Sequence, residues 1–338
     1  MSGCPLCGSD KTSGVSNRDR RGRAVRTHLC EACGMVFNSP MASQQVLLKA
    51  YAEDFRRLAP PGAEPDLSHI VRVFARLDRA LPGYWPLIKG RSRILDACAG
   101  SGEFVYVMKN LGYSVTALEP VPEAAAYCRK TLGLQVETIN VADKIFPANT
   151  FDLIRLFHLL VHIKEPAGLL RRMREWLRDD GLLYIELPNI EAEAEHKPKG
   201  QIFDIGHAHA FNPVTLRLLL RGAGFEEIPE TVERHSGTTA GFFRKAEPRP
   251  IAPDPENAKR VSDAITRHYA GKPITAKIGR LVEGLAERAA DLREHRAHAN
   301  AHSAAEHFTA RIRSRVRPNE KAPRLAEALS QIVDRPGA

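Results

Sequence analysis

Apolar positions between residues 93 and 188 switch repeatedly between two periods. Short apolar runs at 93–97, 115–119, 151–157 and 182–188 read as strands. Between them lie helical stretches: 103–111, ending at Gly112, one opening at Pro122 as a first-turn proline, and 166–178. The last carries Leu169, Leu170, Met173, Trp176 and Leu177 on one stripe, and Asp179-Asp180-Gly181 after it reads as a turn. Strand and helix in alternation predict a parallel sheet covered on both faces, with ligands taken at the carboxyl ends of its strands. Stretches 224–228 and 238–243 are strand-like and would complete the sheet, and 214–221 reads as a helix. Ahead of the alternation, 43–90 is mostly helical, broken by Ala59-Pro60-Pro61-Gly62. Behind it, 247–255 is a proline-rich linker. Ile278, Val282, Leu285, Ala289 and Leu292 then recur at 4-3-4-3, a narrow seam suited to a helix pair or to pairing with a second copy of the chain. The seam fails after Leu292, where His295, His298, His302 and His307 stand at its positions.

Composition bounds the reading. The 338 residues are 43% hydrophobic and 26% charged, which excludes wholesale disorder. No stretch approaches the ~18 apolar residues of a membrane span, and the first residues carry no apolar signal segment, so a cytoplasmic location is expected. The net charge of +9 raises nucleic acid as a partner. Residues 251–338 hold 16 basic against 11 acidic residues, so more than half of that charge lies beyond the proline linker. There Arg311, Arg313, Arg315 and Arg317 could grip phosphates or form the solvated face of a packing helix. Aromatic interleaving, which single-stranded nucleic acid would favour, is absent from that run apart from Phe308.

Four of six cysteines form two C-x-x-C-G turns, Cys4/Cys7 and Cys30/Cys33, separated by 22 polar, Arg-rich residues that suit a hairpin. Each turn aims two sulfurs at one spot, and four thiolates make the tetrahedral set of a structural Zn²⁺ with no open position. About forty residues cannot bury a stable core unaided, so metal would supply much of this segment's folding energy. Cys128, in a helix, reads as a small buried hydrophobe.

The strand ends carry the remaining chemistry. Asp96 closes the first strand of the alternation, Gly100 and Gly102 let the backbone approach a ligand, and Glu119, 23 residues beyond Asp96, is placed to accept two ribose hydroxyls. These motifs resemble the class I S-adenosylmethionine-dependent methyltransferases, and within them the branch with an N-terminal zinc module that modifies sugars and other small molecules. The resemblance covers residues 1–246. It rests on the cysteine pairs, the run from Ile94 to Phe104 and Ala117-Leu-Glu-Pro120. Further on it includes Asn149-Thr-Phe-Asp152, His158-Leu-Leu-Val-His162, Glu186-Leu-Pro-Asn189 and His207-Ala-His-Ala-Phe211. Cys98 stands where the family usually has glycine, and the family's two Glu-His pairs read here as Val161-His162 and Gly206-His207.

The resemblance implies a Rossmann-like methyltransferase sheet of α/β class, with an N-terminal zinc ribbon and a C-terminal helical extension. It divides the chain into a zinc module (1–40), a helical linker or lid (41–90), the cofactor-binding domain (91–246) and a proline linker with a basic helical arm (247–338). It implies that Asp96, Ala97, Cys98, Gly100, Gly102, Glu119 and Pro120 hold the cofactor, that Asn140 or Asp143 meets the adenine, and that Tyr51 folds over it. His162, His207 and His209 are then the candidate proton acceptors, with His158 a fourth, because histidine suits deprotonation near neutral pH. The implied reaction is methyl transfer to oxygen or nitrogen of a small molecule or glycan. The alternatives are a nucleic-acid or protein methyltransferase docking through the basic arm, a non-catalytic cofactor-binding scaffold, and a nicotinamide oxidoreductase.

Overall fold

The computed structural model describes residues 3–58, 65–231, 233–235, 237–270 and 297–316. The 278–292 seam lies outside them. Among the described residues no helix is long and apolar enough to cross a membrane. The chain falls into two compact units. Described residues within Met1–Asp54, Leu156–Trp176 and Leu182–Lys277 form the first; those within Phe55–Arg155, Leu177–Gly181 and Ile278–Ala338 form the second.

The first unit opens with β1 (Thr12–Arg18) and β2 (Ala24–Cys30), the expected hairpin between the cysteine pairs, then β3 (Val36–Asn38) and α1 (Gln44–Leu58), whose last residues belong to the second unit. The second unit supplies α2 (Leu67–Ile88), β4 (Arg93–Asp96), α3 (Glu103–Asn110), β5 (Ser114–Ala117) and α4 (Pro122–Thr131). Strand β6 (Phe151–Phe157) passes from the second unit to the first, where α5 (Pro166–Trp176) follows. The first unit then holds most of β7 (Leu177–Pro188), α6 (Ile190–His196), β8 (His209–Ala210), α7 (Pro213–Gly222), β9 (Phe225–Glu227), β10 (Glu233–His235), β11 (Thr238–Lys245) and α8 (Pro255–Ala270). Helix α9 (Ala301–Val316) belongs to the second.

Strand β4 pairs in parallel with β5 and β6, so Asp96 stands opposite both Ala117 and Arg155. The main sheet runs β10-β11-β7-β6-β4-β5, with β9 also on β11, and β11 is antiparallel to β7. The turn expected at 179–181 falls within the span of β7, with Asp179 and Asp180 exposed, and the backbone folds back there: a Cβ on Gly181 would lie 2.9 Å from the Arg178 carbonyl oxygen. Arg91 there donates a hydrogen bond to the Asp180 carbonyl at 2.6 Å.

The described residues beyond the proline linker, α8 and α9, are packed into the two units. In the first unit α8 buries Val261 and Ile265 in a core with Leu29, Val36, Ile190 and Phe203. In the second, α9 sinks Phe308 completely, its ring stacked on Phe74 of α2 at 5.9 Å. Arg311 and Arg315 of α9 do not face a free phosphate site: both donate to the buried Asp78 carboxylate of α2, each within 2.9 Å. Arg313 donates to the Asn110 carbonyl.

Candidate active site

The carboxyl ends of β4 and β5 carry the cofactor candidates, all in the second unit. After Asp96 the chain runs through buried Ala97 and Cys98 into the turn Gly100-Ser101-Gly102. Gly100 and Gly102 have φ of 57° and 85°, a region that disfavours side chains, and a Cβ on Gly102 would lie 2.8 Å from Leu134 and 2.9 Å from the Cys128 sulfur. Only glycine lets this backbone enter α3 there.

Glu119 lies two residues past β5 and is fully buried. Its carboxylate accepts from the Gly100 amide at 2.8 Å and the Val121 amide at 2.9 Å, with the Cys98 sulfur 3.5 Å away. The acid is thus fixed against the glycine turn. Pro120 follows it, half-buried. Asn140 caps a short 3₁₀ turn by accepting from the Ala142 amide at 2.9 Å, and its Nδ2 is buried with no partner. Buried amide donors are normally satisfied, so this one marks a position for an acceptor. Asp143 ends the same turn exposed to solvent. Of the two polar residues expected here, Asn140 alone is enclosed.

Two residues with no role in the sequence reading stand beside these. Arg155 of β6 donates from Nη1 to both oxygens of Asp96 at 3.1 Å and lies over the Phe104 ring at 4.6 Å. Burial pushes the Asp96 carboxyl up, and Arg155 opposes the shift. Glu103, the first residue of α3, is 4% exposed; burial pushes it up to about 7, and its Oε1 has no partner. The signal for Arg155 was a cation inside the apolar run Leu153 to Phe157 of β6. Its partner, 59 residues away, emerges only from the register.

The histidines belong to the first unit. His162 sits in a 3₁₀ turn after β6 and is buried. Its Nδ1 lies 2.8 Å from the Gly206 carbonyl, so Nδ1 carries the proton and Nε2 is the lone-pair nitrogen. Burial lowers its pKa to about 4. The Tyr51 ring lies 5.0 Å away and the His207 ring 5.1 Å. Gln44 of α1 donates to the His162 carbonyl at 2.9 Å, fixing the turn to the helix that bears Tyr51. His207 is partly buried, and burial followed by the charge of His162 holds its pKa well below the ordinary value. His209 is fully buried in β8, paired across from Phe37, and burial lowers it to about 4. His158 adopts φ 53°, donates its amide to the Glu186 carbonyl at 2.8 Å and sets Nε2 3.7 Å from the Glu186 carboxylate.

The four cysteines of the first unit place their sulfurs within 4.8 Å of one another. Cys4–Cys33 and Cys7–Cys30 are 3.7 and 3.6 Å apart, close to the ~3.8 Å edge of a tetrahedron with ~2.3 Å metal–sulfur bonds. The donor set fits Zn²⁺. Asn257 of α8 donates to the Cys33 carbonyl at 2.8 Å, and β3, just past Cys33, pairs with the strand holding His209. The segment is therefore woven into the first unit rather than appended to it.

Against known proteins, residues 69–230 match the family model described as a methyltransferase domain, just under half of the chain. Phosphoethanolamine N-methyltransferase 3 of Arabidopsis thaliana is 26% identical over 155 residues, covering 42% of this chain and 30% of that protein. A ubiquinone biosynthesis O-methyltransferase of Glaesserella parasuis is 28% identical over 112 residues, 30% of this chain and 48% of that protein. The chain thus spans less than half the length of these curated relatives. Among solved structures, the Burkholderia thailandensis 1,6-didemethyltoxoflavin-N1-methyltransferase aligns at TM-score 0.46 and 20% identity, over 63% of this chain and 96% of that one. Residues 69–230 are thus similar to a methyltransferase domain, and the chain carries a Rossmann-like α/β fold of the methyltransferase kind.

Proposed function

We propose that the chain is an S-adenosylmethionine-dependent methyltransferase acting on oxygen or nitrogen of a small molecule or glycan, with a histidine of the 162/207 pair taking the acceptor's proton. The observation that carries this reading is the set of groups around the glycine turn. Glu119 is fixed by two backbone amides beside the glycine turn, and Asn140 holds an unpaired buried amide donor. Glu119 would accept the ribose hydroxyls, Asn140 would donate to the adenine, and Gly100 and Gly102 would admit the backbone to close range. The cofactor, when bound, supplies an activated methyl group, so little covalent work is left to the protein. What remains is alignment and proton removal. His162 is held neutral with Nε2 as its lone-pair nitrogen, the form a base requires, and Tyr51 and His207 fix its ring. His209, enclosed in β8, serves the sheet.

The same reading assigns Cys4, Cys7, Cys30 and Cys33 to a structural Zn²⁺. Four thiolates fill its coordination, so the metal orders the first unit without touching substrate. Engagement of Arg311 and Arg315 by Asp78 weighs against the basic C-terminal segment as a nucleic-acid grip.

The test is formation of S-adenosylhomocysteine from S-adenosylmethionine with a panel of hydroxyl- and amine-bearing small molecules and glycans. The wild type should turn over on at least one acceptor. His162→Asn should lower kcat by ~10²–10⁴ and leave S-adenosylhomocysteine affinity unchanged. Cofactor binding without turnover on any acceptor would favour a scaffold. Full activity in the His162 and His207 variants would remove the histidine base.

A further inference from the structure

His162 offers a lone pair at Nε2 only while its proton stays on Nδ1, and the group that holds it there is the Gly206 carbonyl, 2.8 Å from Nδ1. That carbonyl belongs to the peptide joining Gly206 to His207, so whatever fixes this peptide fixes the tautomer. The second Glu-His pair of the resembled family reads here as Gly206-His207, and there is no room for a side chain at the first position. A Cβ on Gly206 would lie 2.8 Å from the Cβ of Ala50 in α1 and 3.1 Å from Asp204 Oδ1. The carboxylate that bonds this stretch is Asp204 instead.

Asp204 is buried, with its side chain 2% exposed. Its Oδ1 accepts from the Gly206 amide at 2.7 Å. Its own carbonyl accepts from the His207 amide at 3.1 Å, the N–H of the peptide whose oxygen faces His162. Two arginines of the hairpin between the cysteine pairs neutralise the carboxylate: Arg20 Nε lies 2.6 Å from Oδ2, and Arg23 Nη2 lies 3.4 Å from Oδ1. Both are anchored, the Arg20 amide on the Phe203 carbonyl at 2.8 Å and Arg23 Nε on buried Asp19 at 2.7 Å. Asn38 of β3 donates from Nδ2 to the Asp204 and His207 carbonyls at 3.2 and 2.9 Å. All of these residues lie in the first unit. A buried carboxylate persists only when charge and hydrogen bonds satisfy it, and here satisfying it ties residues 203–207 to the hairpin.

We propose that Asp204 is a positioning residue for His162: gripped by Arg20 and Arg23 of the cysteine hairpin, it orients the Gly206–His207 peptide and so keeps the His162 proton on Nδ1. Its part in turnover rests on the histidine-base reading above; its hold on the tautomer does not. Asp204 acts through the Gly206 carbonyl and moves no proton itself. The hairpin thereby gains a task beyond carrying the cysteines, since the charge that sets the base comes from its tip. A hydrogen-bond partner on the far nitrogen of a working imidazole commonly governs its orientation and tautomer in this way.

The test reads the tautomer on the full chain, by two-bond proton–nitrogen correlation spectra of ¹⁵N-labelled histidine, with the His162 signals identified by their loss in His162→Asn. The wild type should show His162 protonated at Nδ1 with the lone pair on Nε2. Asp204→Ala should give a mixture of the two tautomers. It should also lower kcat by about 10–100-fold while KM and S-adenosylhomocysteine affinity change less than about twofold. Because Asp204→Ala strands two arginines, Arg20→Met and Arg20→Lys are measured beside it. Arg20→Met should shift tautomer and kcat in the same direction by a smaller amount, and Arg20→Lys, which returns a cation opposite Asp204, should recover most of both. A merely structural role would lower the melting temperature and leave the tautomer alone. An unchanged His162 tautomer in the folded Asp204→Ala and Arg20→Met variants, or a wild type without the proton on Nδ1, would overturn the positioning. A tautomer shift in a chain that turns over no acceptor would uphold the positioning and overturn the histidine base.

Discussion

Replacing Phe308 with alanine tests whether the C-terminal helix is part of the second unit or an arm outside it. Phe308 is fully buried, stacked on Phe74 and capped by the Arg311 guanidinium 4.7 Å from its ring centroid. Returning the ring to water forfeits about 2 kcal/mol of transfer energy. The cavity left between α9 and α2 adds about 1–2 kcal/mol, because a wall made of two helices closes only partly. Loss of the ring and cation contacts brings the total to about 4 kcal/mol. With a urea m-value of about 3 kcal/mol/M for this much chain, the midpoint followed by far-UV circular dichroism should fall by about 1.3 M. Glu306→Ala, at an exposed position of the same helix, should shift stability by less than about 0.5 kcal/mol. A Phe308 variant that unfolds at the wild-type midpoint would refute the packing and restore a free arm.

Two further predictions follow from the first unit. Metal analysis of the purified chain should give one zinc per chain, and Cys33→Ser should release it and lower the melting temperature; a metal-free wild type of unchanged stability would contradict the assignment. Acid should weaken the fold through its histidines. His162 and His209 are held neutral down to about 4, against 6.5 for the free side chain. The unfolded chain therefore binds more protons between those values, and stability, complete above about pH 6.5, is lost as pH falls toward 4. At pH 5 the loss is about 2 kcal/mol for each, and a urea midpoint that is flat from pH 7.5 to 5 would refute the burial of these rings.

Local signals carried most of the fold. The helix after Gly102, the strand 151–157 and the cysteine hairpin each announce themselves within a dozen residues through period, turn glycine or spacing. The site was legible where a motif is contiguous: Asp96, Gly100, Gly102 and Glu119 stand where their order placed them. Arg155 and Glu103 were not, because their meaning lies in the Asp96–Arg155 register and in burial, neither of which leaves a local pattern. The choice between Asn140 and Asp143 likewise turned on exposure. The arginines of α9 read as a solvated or phosphate-binding face because Asp78, the acid they meet, is more than 230 residues away.

The central claim is that the glycine turn and Glu119 bind S-adenosylmethionine, and equilibrium titration of the full chain with S-adenosylhomocysteine tests it most directly, with NAD measured alongside. One molecule should bind per chain, Glu119→Ala should weaken it by at least about tenfold through loss of a charged acceptor for two hydroxyls, and NAD should not compete. Saturable binding of NAD with none of S-adenosylhomocysteine, or an affinity for S-adenosylhomocysteine that Glu119→Ala leaves unchanged, would contradict it.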